Sequence, residues 1–99
     1  MKIEIETKYG FGQKAYVVDH DRYFNFRVVE VHVNDVVTHH VDMDGKHESC
    51  VMYGIKPRTE AHGGMVKEHV LHETPLEAQE EAELLDRAFN WYRREETAL

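Results

Sequence analysis

Thr74-Pro75-Leu76-Glu77-Ala78 divides the chain in two. Thr74 offers a hydroxyl to cap exposed backbone N–H groups. Pro75 suits the first helical position because its missing N–H would go unpaired there anyway, and Glu77 completes a Thr-x-x-Glu capping box. The spacing predicts a helix over 74–95, preceded by a strand-patterned region over 1–73. Downstream, Ala78, Ala82, Leu85, Phe89 and Tyr92 recur every three or four residues, with Leu84, Ala88 and Trp91 widening the apolar stripe. Glu77, Glu80, Glu81, Glu83 and Asp86 crowd the first half, whereas Arg87, Arg93 and Arg94 come later. That order suits the helix dipole.

Upstream, the dominant signal is a hairpin. Asp44-Gly45 is a two-residue turn pair, and strand-like sequence leads into it from Val36 and away from it through Lys46 to Ile55. Counting outward from the turn pairs Met43 with Lys46, Val41 with Glu48, His39 with Cys50 and Val37 with Met52. The opposite face pairs Asp42 with His47 and His40 with Ser49. Further strands are expected over Met1–Glu6, where isoleucines alternate with charges, over Phe11–Val18, and over Phe24–Val33, which Asn34-Asp35 ends. A polar loop over Lys56–Gly64 leads to a last strand over Met65–His72. The expectation is an α+β fold: a small antiparallel SH3-like β-barrel or curved β-meander of about six strands, packed by one C-terminal helix.

Ninety-nine residues make one domain. The formal charge of −7, from 19 acidic and 12 basic residues, argues against a phosphate-tracking nucleic-acid surface and suits either a partner with a basic surface or a protein with no charged partner that its charge keeps monodisperse. Cys50 is the single cysteine, so no intramolecular disulfide forms and a reducing, cytoplasmic setting is expected. The alternating N-terminus lacks the apolar core of a signal peptide, and no stretch is long and apolar enough for a membrane span. Eight histidines would carry the formal charge from −7 to +1 if all were protonated.

Candidate sites are few. His39 and Cys50 become cross-strand neighbours in the hairpin register, and joined by His47 or Asp42 they form the best candidate for zinc, since imidazole and thiolate are natural ligands. Two neighbours alone are not a site, and no second Cys or His pair at finger-like spacing accompanies them; the default cofactor expectation is none. His69 and His72 lie three apart and point to opposite faces of an extended strand. Asp42 to Glu48 resembles a calcium loop only superficially, because the Asp-Gly is already explained by the turn. Cys50 with His39 as nucleophile and base lacks any signal for an oxyanion hole, and neither Gly10-x-Gly12 nor Gly63-Gly64 opens a helix as a phosphate loop would. No catalytic residues emerge. Tyr9, Tyr23 and Tyr53 fall near expected turns and have two readings, exposed rings that anchor partners or simple packing in the core, and Glu80 and Glu83 on the helix supply acidic contacts.

The segments Phe11-Gly12-Gln13-Lys14-Ala15-Tyr16-Val17-Val18, Val28-Val29-Glu30-Val31-His32-Val33, Tyr53-Gly54-Ile55 and Thr74-Pro75-Leu76-Glu77-Ala78 together resemble small phage and prophage proteins with an SH3-like barrel and a terminal Thr-x-x-Glu-Ala helix. The resemblance implies no catalytic residues. It implies a non-enzymatic interaction module, in the cytoplasm of a host cell, of the kind that inhibits a host defence complex as anti-CRISPR and anti-restriction proteins do. Two alternatives stand beside it: a metal-binding or metal-sensing protein using His39, Cys50 and nearby histidines, and an SH3-like domain binding RNA or DNA, which the charge disfavours. The residues do not specify an oligomeric state.

Overall fold

A computed structural model describes residues 6–97, and for Met43 and residues 90–97 the backbone alone. The fold is α+β. Strand β1 spans Lys14–His20, β2 Phe26–Met43, β3 Lys46–Thr59 and β4 Gly63–Lys67; a 3-10 turn follows at Glu68–Val70, and helix α1 spans Pro75–Thr97. The strands form one antiparallel sheet in the order β1-β2-β3-β4. Among the described residues this sheet is open rather than a closed barrel, and it has four strands where about six are expected. Among the described residues the outer edge of β1 is met by a single bridge, in which Tyr16 and His72 exchange backbone hydrogen bonds of 2.9 and 2.8 Å.

The strand count falls for physical reasons. Asn34-Asp35 does not end a strand; it is absorbed as a β-bulge between Val33 and Asp35, so the two expected strands around it are one long β2. Gly54 lies across from this bulge and makes room for it, because a Cβ there would stand 2.9 Å from the Asp35 Cβ. The expected strand over Met65–His72 stops at Lys67, where the 3-10 turn redirects the chain. Part of the expected loop is strand, since β3 continues to Thr59 and β4 starts at Gly63. The strand expected over Met1–Glu6 lies, except for Glu6, outside the described residues.

The sheet buries both faces near β1. On one face Ala15, Val17, Val31, Val33, Tyr53, Ile55 and Val66 form the main core, completed by Tyr9 and Leu71 from the flanking segments. On the other, Val18 packs against Ala78 and Ala82 of α1, with Tyr16, Phe26, Val28 and Leu85 around them. This is the helix stripe read from sequence, narrowed: Leu84 and Ala88 face solvent. Phe89 stacks on Phe24 at 4.8 Å and meets Phe26 at 5.6 Å, pinning the middle of α1 to the turn between β1 and β2. The start of α1 is capped as its sequence demands, the Glu77 N–H donating to Thr74 Oγ1 at 3.2 Å.

Candidate functional site

The chemistry-bearing residues gather on an arm. Pairing of β1 with β2 ends at Lys14–His32, and pairing of β4 with β3 ends at Lys67–Met52, but β2 and β3 continue together from Val37 and Met52 out to the Asp44-Gly45 turn. Positive φ at both turn residues, 51° and 75°, is the twist that a two-residue hairpin needs, and Gly45 adopts it without a Cβ penalty. The result is a two-stranded ribbon leaving the body. It accounts for a radius of gyration of 16.5 Å, against about 13 Å for a compact chain of this length.

Every described side chain from Thr38 through Cys50 is exposed. The register is the one that the turn predicts, with His39 opposite Cys50 and Asp42 opposite His47. Alternation then sorts the arm into two faces. One carries Val37, His39 and Val41 with Met52, Cys50 and Glu48. The other carries Thr38, His40 and Asp42 with Val51, Ser49 and His47. The zinc candidate set of His39, Cys50 and His47 is therefore split: the first two are neighbours on one face, and His47 stands on the other.

On that second face His47 Nδ1 contacts the Asp42 carboxylate, and the His40 and His47 rings stack at 5.6 Å and 17°. One ligand atom from each of His40, Asp42 and His47 lies within 4.8 Å of the other two. Sequence reasoning passed over His40. The signal was present, because residues 40 and 42 share a face by alternation and the register sets 47 beside them, but only direct pairs were counted and not the diagonal.

The other expected site residues divide by burial. Tyr9 and Tyr53 are 1% and 0% exposed, so their rings are core and not docking anchors. They meet edge to face at 5.5 Å; Tyr53 donates its hydroxyl hydrogen to Glu68 at 2.6 Å, and Tyr9 donates its own to the Leu71 carbonyl at 3.2 Å. Burial, reinforced by the charges of Glu73, Glu77 and Glu68, pushes the Tyr9 hydroxyl up to about 12. Tyr23 is 56% exposed, and Glu80 and Glu83 are exposed on α1 beside the exposed Leu84. His69 and His72 are separated in role: His69 is exposed, while His72 Nε2 contacts the Glu81 carboxylate and so ties the chain after β4 to α1. An open groove of about 520 Å³ at the root of the arm is lined by Lys8, Cys50, Lys67, Glu68, His69 and Glu77, a mixture of both charges.

Asp19 was not foreseen. It is 1% exposed, yet it accepts hydrogen bonds from the Ala61 N–H at 2.8 Å, the Glu60 N–H at 3.3 Å and the Arg27 guanidinium at 2.9 Å. Burial works against its charge, but these donors outweigh it and hold the carboxyl below its ordinary range. Beside it the His62 Nε2–H donates to the Val18 carbonyl at 2.9 Å. Together they clamp the β3–β4 turn onto the end of β1. An aspartate directly after the apolar run Tyr16-Val17-Val18, within the same strand, is the available clue.

Compared with known proteins, the chain matches no family model, no curated protein sequence and no solved structure. Among the described residues, no helix is long and apolar enough to cross a membrane.

Proposed function

We propose that this protein acts by binding another protein through its ribbon arm, with the acidic outer face of α1 steering it toward a basic partner surface. The observation that carries this reading is the exposure of the arm from Thr38 through Cys50. A two-stranded hairpin gains little stability by itself in water. The core clusters take nothing from these residues, so ordering them is repaid only where something packs on them. Past the ends of β1 and β4 no strand among the described residues pairs with either ribbon edge, and an extended segment of a partner can pair there.

Charge supplies direction. From Glu73 to Arg87 the chain carries Glu73, Glu77, Glu80, Glu81, Glu83 and Asp86 against one arginine. Such a surface raises the encounter rate with a cationic partner, and that rate falls as salt screens it. In its finer form, the proposal takes the partner to be a nucleic-acid-binding defence complex whose basic groove this protein occupies. Size, acidity and the resemblance to small phage proteins support that form.

The test compares the full chain with a shortened one. Thr38 and Val51 are register partners, so replacing residues 39–50 with Asn-Gly closes a two-residue hairpin between them. Immobilised full-length protein is expected to retain a host partner at low salt and release it as salt rises, and the shortened chain is expected to lose it. Equal capture by both chains, insensitive to salt, would refute the proposal. Competition with nucleic acid for the captured partner then tests the finer form.

A further inference from the structure

We infer that the face of the arm carrying His40, Asp42 and His47 is a binding site for a divalent transition metal of the zinc class, independent of whether the arm docks on a partner. Two imidazoles and one carboxylate are a donor set that zinc accepts, with a fourth position left for water or an incoming ligand. A tetrahedral ion with bonds of about 2.0–2.1 Å holds its donors roughly 3.4 Å apart. The three donor atoms already lie within 4.8 Å of one another, so side-chain rotations that move them about 1 Å close the site.

The backbone does the positioning. His40 and Asp42 are two apart on β2 and therefore on one side of the ribbon, and His47 is the register partner of Asp42 on β3. The Asp44-Gly45 turn fixes that register, so the donors are gathered before an ion arrives. His47 Nδ1 already contacts the Asp42 carboxylate. An ion would sit between donors that are already gathered, each binding through a deprotonated atom. Cys50 and His39 are directed to the opposite side of the ribbon and take no part.

The experiment is calorimetric titration of the untagged full-length protein with Zn²⁺ alone, paralleled by backbone amide NMR spectra. One saturable equivalent is expected, with shifts concentrated between Thr38 and Ser49. His40→Ala, Asp42→Asn and His47→Ala are each expected to weaken binding by at least about tenfold, while His39→Ala and Cys50→Ser leave it unchanged. All five positions are solvent-exposed, and unaltered amide shifts in the body confirm that each variant stays folded. Absence of saturable binding overturns the inference. So does binding that survives His47→Ala, or that is lost with Cys50→Ser, which would put the ion on the other face.

Discussion

Asp19 shows how one buried charge can hold two distant parts of the chain together. Its oxygens are shared among two backbone N–H groups and Arg27, so Asp19→Asn presents amide hydrogens to partners that are themselves all donors. The expected loss is about 2 kcal/mol, read from urea unfolding at neutral pH. Because folding lowers this carboxyl's pKa, its stabilisation is complete above its unfolded value of about 3.9 and disappears as pH falls through the folded value. The gap between wild type and Asp19→Asn is therefore expected to narrow below about pH 4, and a gap constant down to strong acid would contradict the network. Tyr9 has the opposite sign. Its hydroxyl is raised from 10.0 to about 12, so the folded state holds a proton that the unfolded chain gives up. Stability is expected to fall as pH rises from about 10 toward 12, by on the order of 2 kcal/mol. Burial also raises the Tyr53 hydroxyl, so Tyr9→Phe is expected to reduce that alkaline slope while losing the hydrogen bond to Leu71, and circular dichroism across the alkaline range reads both effects.

Among the elements, hairpin and helix were legible from sequence because a few residues decide each. Asp44-Gly45 dictated every pair along the arm, and Thr74 with Pro75 and Glu77 dictated where α1 begins. Thr74→Ala should cost about 1 kcal/mol by stripping the Glu77 N–H of its acceptor; a thermal midpoint equal to wild type would argue that the cap is idle. Strand ends were less legible, since they depend on what lies across the sheet. Asn34-Asp35 has the composition of a terminator, but Gly54 on β3 leaves space for a bulge, and the strand runs on. Gly54→Ala sets a methyl group against Asp35 and is expected to cost about 1–3 kcal/mol, with the amide shifts of Asn34 and Asp35 moving most. Burial of Tyr9 and Tyr53 was hidden for the same reason. A tyrosine near a turn reads as an exposed ring unless one knows that Glu68 and the Leu71 carbonyl wait to satisfy its hydroxyl.

At the scale of the molecule, the packed core and the exposed arm are separated along the chain. One core cluster lies within the body and the other joins the body to α1, and neither contains a residue between Thr38 and Ser49. Of the candidate site, sequence alone revealed the arm's histidines and their direct partners; what it left out was depth, because nothing local announces that β1 and β4 stop short and leave the ribbon uncovered. The separation has a measurable consequence. Replacing 39–50 with Asn-Gly removes exposed hairpin, whose own net stability is near zero, so the shortened chain is expected to unfold within about 1 kcal/mol of the parent, with a smaller radius by X-ray scattering. A large loss of stability would mean that the arm packs on the body in solution, and both the docking role and the metal face would then need a different geometry. Retained stability with lost binding would show the arm free to evolve for its partner while the body keeps the fold.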